Sequence, residues 1–290
     1  MSGLLLVGSV IVDLVLYVET LPVRGGDVLA RRSLLAVGGG YNVLVAARRQ
    51  GMLAAYAGRH GDGPFGERVR AALAASGVAT YLHPTPDADT GYCVALVEPA
   101  GERTFATAMG VEGGLRADEL AAVAPAGDDT VYVSGYDLAY PHGPVIVDWL
   151  ERQPDRVPVV FDPSPLVGSL DAELLARAVR RASWVSANAT EAAVLARLPE
   201  PAGLVVRSGE GGCVVLVAGA DPTPVPAPVV AAVDTTGAGD AHVGAFVAAL
   251  GRGLAPVEAA RWANAAAALS VTIEGPATCP DLATTAGFVP

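Results

Sequence analysis

Short apolar runs alternate along this chain with longer stretches in which apolar residues recur every three or four positions. The short runs predict strands, which cover residues 4–12, 54–57, 131–134, 157–161, 184–186 and 203–206. The longer stretches predict helices. One starts at Tyr41, and three others cover residues 64–76, 144–152 and 241–250. Such alternation is typical of a parallel sheet with helices on both faces. We therefore predict an α/β fold, a three-layer sandwich around a mostly parallel central sheet.

Two stretches, 15–37 and 90–109, depart from this pattern. Their apolar and polar residues alternate with the period of a strand and show no helix period. Turn residues divide them at 24–26 (Arg-Gly-Gly) and at 99–102 (Pro-Ala-Gly-Glu). They predict β-ribbons that form a second, smaller sheet. Residues 218–230, rich in Pro and Ala, predict a hairpin rather than a domain linker. We predict one domain over residues 1–290, with the small sheet inserted at about 14–37 and 90–109.

The composition is that of a globular protein which we expect in the cytoplasm. With 290 residues, 52% of them hydrophobic, the chain can bury a sizeable core. The formal charge of −11 argues against nucleic acid and anionic membranes as main partners, since either would need a basic face. Three cysteines, Cys93, Cys213 and Cys279, lack the spacing of zinc ligands, and we expect reduced thiols. No apolar run reaches the roughly 18 residues of a membrane span, and the apolar start meets Asp13 too soon for a secretion signal.

All 19 basic residues are arginine, so several mechanisms that depend on lysine are excluded. A Walker-A loop, a protein-kinase site and a Schiff-base enzyme each need a lysine amine. A phosphotransferase without lysine must therefore rely on helix N-termini, Mg²⁺ and arginine.

Residues 234–240 carry the most informative motif, Asp-Thr-Thr-Gly-Ala-Gly-Asp, directly before the apolar helix at 241–250. Unpaired amides and the helix dipole at such an N-terminus favour an anion, so Gly237, Ala238 and Gly239 predict a hole for a phosphoryl group. Asp240, in the first turn, suits deprotonation of a hydroxyl that attacks phosphorus. For Gly-Ala-Gly-Asp alone, a tight turn capped by aspartate would be the alternative.

A second glycine loop, residues 38–40, opens the helix that begins with Tyr41 and Asn42. Together, the two loops closely resemble the two signatures of the ribokinase-like, or PfkB, family of carbohydrate and nucleoside kinases. Residues 91–105 and 134–136 look most like an uncharacterised bacterial sugar-kinase branch of that family. The resemblance implies that the small sheet is a lid over the sugar and often also the dimer surface. Leu, Val and Ala on one lid face would suit pairing with a second copy.

On the acceptor side, the resemblance implies that Asp13, Gly38, Gly39 and Asn42 hold sugar hydroxyls. Asp13 follows a predicted strand at the sheet edge where open α/β sheets bind ligands, although a strand-ending turn also fits it. The alternative role of Asn42 is to cap the helix that it opens. Arg103, in the second ribbon, either contacts substrate or solvates a turn.

On the nucleotide side, the resemblance implies ATP and Mg²⁺ as cofactors. Asn188 and Glu191 resemble the Asn-x-x-Glu element associated with magnesium, through water-mediated contact, or they form an ordinary helix start. The segment 207–212 resembles the nucleotide-side glycine segment, with Arg207, Gly209 and Gly212 as contacts; Arg207 either reaches phosphates or pairs with Glu210. Asn264 falls where the family has an adenine neighbour. A monovalent cation, K⁺, is implied near the carbonyls of Asp234 and Thr236.

Two departures from the family pattern argue against ribose as the acceptor. The ribokinase loop usually carries a lysine and one extra residue where this chain has residues 39–41. The acidic sugar contact after the mid-chain strand is replaced by Gly-Tyr-Asp at 135–137. His242 stands where the family often has phenylalanine, and we expect a satisfied helix histidine there.

The sequence thus predicts an ATP-dependent kinase that phosphorylates a hydroxyl of a sugar or sugar-like small molecule. A nucleoside kinase of the adenosine or pseudouridine type is the first alternative. Few aromatic residues in the lid, chiefly Tyr92 and Phe105, favour a sugar over a base. A catalytically silent sugar or nucleotide sensor is the second alternative, against which Asp240 argues.

Overall fold

The computed structural model describes residues 2–99 and 101–289, and within them the predicted alternation of strands and helices is present. The strands are β1 (Gly3–Val7), β2 (Val10–Tyr17), β3 (Arg32–Gly39), β4 (Leu53–Ala57), β5 (Ala79–Thr80), β6 (Tyr92–Val97), β7 (Arg103–Ala108), β8 (Thr130–Ser134), β9 (Val159–Asp162), β10 (Trp184–Asn188), β11 (Gly203–Arg207), β12 (Cys213–Val217) and β13 (Thr223–Val225). The α-helices are α1 (Tyr41–Arg49), α2 (Pro64–Ala75), α3 (Ala117–Ala121), α4 (Gly135–Ala139), α5 (Gly143–Arg152), α6 (Ala172–Arg181), α7 (Ala189–Leu195), α8 (Ala238–Gly251), α9 (Pro256–Ser270) and α10 (Leu282–Ala286).

Nine strands of the described chain form the main sheet, in the order β13-β12-β11-β10-β9-β8-β1-β4-β5. From β11 to β5 every neighbouring pair is parallel, and only the β12 and β13 pairings are antiparallel. All five residues of β1 are buried, which requires cover on both faces. On one face the core includes side chains of α5 and α6, and on the other it includes side chains of α1 and α8. The predicted three-layer α/β sandwich is confirmed.

The prediction of one strand over residues 4–12 is wrong, because the chain changes sheets within it. β1 ends at Val7 in the main sheet, and β2 begins at Val10 in the small sheet. Gly8 makes the break, with φ of 152°, and a Cβ there would overlap the carboxylate of Asp137. Apolar residues on both sides of the break made the run look continuous. The small sheet therefore starts at residue 10 rather than at about 14.

The small sheet contains four strands in the order β3-β2-β6-β7 within the described residues. The two predicted ribbons are the antiparallel pairs β2 with β3 and β6 with β7, and a parallel pairing of β2 with β6 joins them. Ala100, in the turn of the second ribbon, lies outside the described residues. Val12 and Ala95 project from opposite faces of this sheet and both are buried, whereas most of the edge strand β7 is exposed. The small sheet is thus most open at its β7 edge.

Helices α1 and α8 lie side by side because Gly244 has no side chain. A Cβ on Gly244 would lie 2.5 Å from Cβ of Ala46 and 2.7 Å from the carbonyl oxygen of Val43. Asn42 lies one helical turn before Ala46, and Asp240 lies one helical turn before Gly244. The close packing therefore brings the first turns of the two helices together.

Two further expectations can be compared with the fold. The segment after β12 forms a hairpin with β13, as predicted for residues 218–230. Cys93, Cys213 and Cys279 are buried free thiols. Among residues 2–99 and 101–289, no helix has both the length and the apolar character needed to cross a membrane.

Candidate active site

The two glycine loops of the sequence meet in space through Asn42 and Asp240. Nδ2 of Asn42 donates a hydrogen bond to Oδ2 of Asp240 at 2.9 Å. Asn42 is buried, and its Oδ1 has no hydrogen-bond partner among the described residues. An acceptor atom thus remains unused beside the carboxylate, which suits a hydroxyl donor from a ligand.

The backbone at the head of α8 forms a glycine turn. Gly237 caps the helix in the left-handed region, with φ of 73°, which glycine adopts at little cost. The N–H groups of Gly237 and Gly239 have no acceptor in the described part of the chain. The N–H of Ala238 donates to the carbonyl of Thr235 at 3.2 Å. Of the three amides expected to receive an anion, two are therefore free, and that of Ala238 is already used within the turn.

Asp13 faces the first glycine loop from within β2, where it pairs with Ala36 of β3, and not from the end of a strand as predicted. A Cβ on Gly38 would overlap the carboxylate of Asp13, so only glycine leaves room for this side chain. Gly39 adopts a φ of 62°, which the tight turn before α1 requires. Burial raises the pKa of Asp13 to about 6.

Asp240 lies in an environment that holds its carboxyl near neutral pH. Burial is the largest cause that raises its pKa to about 6. The hydrogen bond from Asn42 and the charge of Arg207 oppose this rise, whereas the charges of Asp162 and Asp13 add to it. A carboxylate with a pKa just below neutrality is well matched to accepting a proton from an alcohol.

Arg207 is paired with two buried carboxylates rather than with Glu210. Its Nη1 lies 3.0 Å from Oδ2 of Asp162, and its Nη2 lies 3.6 Å from Oε2 of Glu191. Nη1 also donates to the carbonyl of Gly239 at 3.3 Å. Burial disfavours its charge, but Asp162 and Glu191 keep the pKa of Arg207 above its usual value. The guanidinium therefore links β9, β11 and α7 to the head of α8.

Asn188 and Glu191 form a reciprocal cap at the start of α7. Oδ1 of Asn188 accepts from the N–H of Glu191 at 2.9 Å, and Oε2 of Glu191 accepts from the N–H of Asn188 at 2.8 Å. The helix-start interpretation therefore describes their observed contacts. The described residues contain no group of three or more His, Cys, Asp or Glu arranged to hold a metal ion. These oxygens fit a hydrated Mg²⁺, held through its waters, better than one ligated directly by side chains.

The remaining residues expected on the nucleotide side form turns and anchors. Gly209 and Gly212 have φ values of 58° and 86° in the turn that follows β11. Asn264 is buried, and its Nδ2 donates to the carbonyls of Val225 and Pro226 at 2.9 and 3.3 Å. Asn264 thus holds the end of β13, a role that the sequence did not reveal.

His242 is not the hydrogen-bonded histidine that the sequence led us to expect. It is 4% exposed, and neither ring nitrogen has a hydrogen-bond partner in the described part of the chain. Its ring stacks with that of Phe246 at a centroid distance of 6.4 Å. Burial, followed by the charge of Arg207, lowers the pKa of His242 to about 3. The side chain is therefore a neutral aromatic ring inside the protein.

Arg103 has a partner that neither sequence interpretation included. Its Nη2 donates to Oδ1 of Asp234 at 2.8 Å. The same carboxylate accepts hydrogen bonds from the N–H and hydroxyl of Thr236 and from the N–H of Gly275. Although burial disfavours its charge, these bonds and Arg103 hold the pKa of Asp234 below its ordinary value. The lid is thus tied to the first residue of the motif at 234–240.

Two residues beside these groups were given no site role from the sequence, although Tyr136 stood in the segment 135–137 that replaces the acidic sugar contact of the family. Asp162 ends β9 directly after an apolar run, the same strand-end signal that pointed to Asp13. Tyr136 is 44% exposed, and burial of its hydroxyl end, followed by the charge of Asp240, raises its pKa to about 12. It follows β8 at the start of α4, also a strand end. A cavity of about 520 Å³ between β3 and α2 is separate from these residues.

Comparison with known proteins identifies the family of the chain. Residues 1–283 match the model of the pfkB family carbohydrate kinases. The chain is 33% identical to the uncharacterised sugar kinase YegV of Escherichia coli, over 94% of this chain and 90% of that protein. The crystal structure of adenosine kinase from Sinorhizobium meliloti superposes with a TM-score of 0.84 at 22% identity, over 99% of this chain and 98% of that one. Ribokinase of Arabidopsis thaliana, solved with ribose and ATP, gives a TM-score of 0.78 at 21% identity, over 100% and 99%.

The two structural similarities lie below 25% identity and establish the fold alone. The family match, by contrast, covers almost the whole chain, and the sugar-kinase relative exceeds 30% identity. The chain therefore belongs to the pfkB family of carbohydrate kinases, which are phosphotransferases.

Proposed function

We propose that this enzyme transfers the terminal phosphoryl group of ATP to a hydroxyl of a sugar or sugar-like small molecule. The observation that carries the proposal is the position of Asp240. Its carboxylate has a raised pKa, stands beside the free amides of Gly237 and Gly239, and is hydrogen-bonded to Asn42. Ribokinase of Arabidopsis, which shares the fold, was crystallised with ribose and ATP.

Asp240 acts as the general base. It takes the proton from the acceptor hydroxyl as that oxygen attacks phosphorus, while the amides of Gly237 and Gly239 receive the negative charge of the transferred group. The turn bond from Ala238 to Thr235 keeps the amides of its neighbours aimed outward. Transfer in line requires that water be excluded, so we expect the lid to close over the acceptor.

Asp13, Asn42 and the loop of Gly38 and Gly39 hold the acceptor. A carboxylate and the unpaired Oδ1 of Asn42 both accept hydrogen bonds, which suits a polyol with several adjacent hydroxyls. The hydroxyl of Tyr136 adds a group that both donates and accepts. Without a lysine in the loop, we expect an acceptor that is not ribose.

The nucleotide lies on the side of Arg207, Asn188 and Glu191, with Gly209, Gly212 and Asn264 beneath the base. Mg²⁺ bound with the nucleotide would neutralise charge on the transferred phosphoryl group. Arg207 keeps Asp162 and Glu191 paired next to the phosphate path. We place this reaction in the cytoplasm, with neither nucleic acid nor membrane as partner.

A nucleoside is the second candidate acceptor. Tyr136 and Phe105 are 44% and 61% exposed, and aromatic faces can stack on a base. Against this, the lid offers few such side chains, since Tyr92 points to the sheet face opposite Phe105 and Arg103 and packs against Phe65 at a ring-centroid distance of 5.3 Å. We therefore favour a sugar, and we include dimerisation through the lid in the proposal.

An acceptor panel tests the function. Pentoses, hexoses, ketoses, polyols and nucleosides are incubated with ATP and Mg²⁺, and ADP release above the rate without acceptor is measured. The proposal expects at least one sugar or polyol to be phosphorylated, with the product confirmed by mass. Phosphorylation confined to nucleosides would select the alternative, and ligand binding without ADP release from any acceptor would point to a sensor.

A further inference from the structure

The loop around Asp234 is where the family resemblance implies a monovalent cation. A K⁺ ion at such a site would be held by several oxygen atoms that replace its water shell. The resemblance implies the main-chain carbonyls of Asp234 and Thr236 among them, with the charged carboxylate of Asp234 on the same turn. The contacts of this carboxylate decide whether its charge still calls for an ion.

The carboxylate of Asp234 is already occupied by donors. Oδ1 accepts from Nη2 of Arg103 at 2.8 Å and from the N–H and hydroxyl of Thr236 at 2.9 and 2.6 Å. Oδ2 accepts from the N–H of Gly275 at 3.0 Å. Each carboxylate oxygen offers about two lone-pair positions, so three donors fill Oδ1 and one position on Oδ2 is left. An additional cation there would stand beside the guanidinium of Arg103, whose like charge disfavours it.

Arg103 supplies the positive charge that the site requires. The guanidinium is charged at every physiological pH, and the pair is largely shielded, with side chains 27% and 12% exposed. Because Asp234 heads the loop whose amides face the nucleotide, its charge would repel polyphosphate if nothing neutralised it. A positive charge is therefore needed beside Asp234, and in this chain the side chain of Arg103, in β7, supplies it.

We propose that the guanidinium of Arg103 takes the place at Asp234 that a monovalent cation would hold, so that catalysis needs no K⁺. Arg103 is a positioning residue: through Asp234 and Thr236 it holds the turn that presents the amides of Gly237 and Gly239. Since β7 belongs to the lid, the charge reaches Asp234 only when the lid lies over the site. Lid closure and assembly of the anion hole are thereby coupled.

A second ion pair, at the surface, also joins the small sheet to this loop region. Nη2 of Arg32, in β3, pairs with Oε1 of Glu274, the residue before Gly275. About half of each side chain is exposed, so this pair contributes little by itself. The pair does hold the lid next to the loop in which the N–H of Gly275 donates to Oδ2 of Asp234. The two arginines therefore contact the same loop region from the two edge strands of the small sheet.

Cation exchange in the wild type and in Arg103→Met tests the proposal. Melting temperature is measured without nucleotide or acceptor, in K⁺ or in tetramethylammonium at an ionic strength of about 0.1 M. We expect the wild type to melt at the same temperature in both salts. The variant should melt higher in K⁺, since an ion that binds only the folded state stabilises it. This readout does not depend on the proposed function.

The kinetic arm rests on the proposed function and uses the acceptor found in the panel. The wild-type rate should change less than about twofold between the two salts, whereas Arg103→Met should lose about tenfold or more in tetramethylammonium and recover in part with K⁺ or guanidinium. Arg31→Met removes a lid arginine that pairs with Glu19 away from the site, and it should behave as the wild type does.

Wild-type protein that requires K⁺ for activity or gains melting temperature from it overturns the proposal. So does an Arg103→Met variant that responds to no cation in either measurement. If Arg103→Met does not fold, Arg103→Gln, which keeps a polar side chain, is subject to the same expectations. Failure to find any acceptor would count against the proposed function alone, because the melting arm would still report on Arg103.

Discussion

Asn42 and Asp240 are separated by 198 residues in sequence, yet Nδ2 of one lies 2.9 Å from Oδ2 of the other. Each residue lies in the first turn of the helix that follows a glycine loop, so the hydrogen bond joins the two loops. The pairing leaves Oδ1 of Asn42 without a partner in the described part of the chain. In the proposed function, the acceptor hydroxyl would bind at this atom, beside its base.

Gly244 sets this relationship from within the contact between α1 and α8. Gly244→Ala would place a Cβ against Ala46 and the carbonyl of Val43, forcing α1 and α8 apart. We expect a loss of about 1–3 kcal/mol in the free energy of unfolding and a fall of several-fold in turnover, with Km for ATP little changed. Urea unfolding and steady-state kinetics measure the two effects.

Gly168→Ala is the matched control, since a Cβ there meets nothing within 4 Å. It should leave both quantities close to those of the wild type. A Gly244→Ala enzyme that is less stable but turns over at the wild-type rate would contradict the positioning role of the helix contact.

The pH dependence of catalysis should report the raised pKa of Asp240. Because the base must be ionised to accept a proton, kcat/KM should rise with pH and level off above an apparent pKa of about 6. Asp13 interacts with Asp240 and also has a pKa of about 6. The acidic limb of the pH profile therefore reports the two carboxyl groups together. A limb near pH 4, where free carboxyl groups titrate, would count against this environment.

Asp13→Asn separates the two carboxyl groups. Removing the charge of Asp13 relieves a cause that raises the pKa of Asp240, so the acidic limb should move to lower pH. Substrate affinity should fall at the same time, which is why the position of the limb, and not its height, is the measurement. An unchanged limb would show that the two carboxyl groups do not interact.

Arg207 holds buried charge in balance beneath the site. Arg207→Met leaves the carboxylates of Asp162 and Glu191 without their cation, and we expect a loss of about 3–5 kcal/mol in the free energy of unfolding. The deficit should shrink as the pH is lowered toward 5, because burial raises the pKa of Glu191 and its protonation removes one of the two charges. Asp162→Asn should restore part of the lost stability at pH 7.5. Arg180→Met, at an exposed pair with Glu173, should change stability by less than about 1 kcal/mol. Equal effects of the two substitutions would contradict the network.

His242 should make the folded protein sensitive to acid. Its folded pKa of about 3 lies below the ordinary value of 6.5, so the unfolded state binds more protons between these values. Its contribution is intact above pH 6.5 and is lost as the pH falls toward 3, at up to about 1.4 kcal/mol per pH unit. His242→Phe removes this term, so its advantage in melting temperature over the wild type should be larger at pH 5 than at pH 7.5.

His83→Asn, at an exposed position, serves as the control and should follow the wild-type pH dependence. Parallel curves for His242→Phe and the wild type would mean that His242 accepts a proton in the folded state.

The local chemistry of the site was predictable from sequence, but its long-range contacts were not. The glycine turn before α8 and the start of α1 each depend on neighbouring residues, and the structure has both as predicted. Asp13 does not end a strand as predicted but lies inside β2, because the chain changes sheets at Gly8. By contrast, Arg103 and Asp234 lie 131 residues apart, and several arginines were equally available to that carboxylate. Asp162 carried a strand-end signal, but nothing in its own neighbourhood distinguished it from other acidic strand ends. Likewise, the change of sheets at Gly8 depends on the carboxylate of Asp137, which the local apolar pattern does not contain.

The central claim, that Asp240 is the base, is tested most directly by the turnover of Asp240→Asn with ATP and the best acceptor of the panel. The variant should remain folded, with a melting temperature at pH 7.5 no lower than that of the wild type, since an amide avoids the burial of a carboxylate charge. We predict a fall of about 10² or more in kcat, with binding of ATP and acceptor largely retained. Turnover within a few-fold of the wild type would contradict the account.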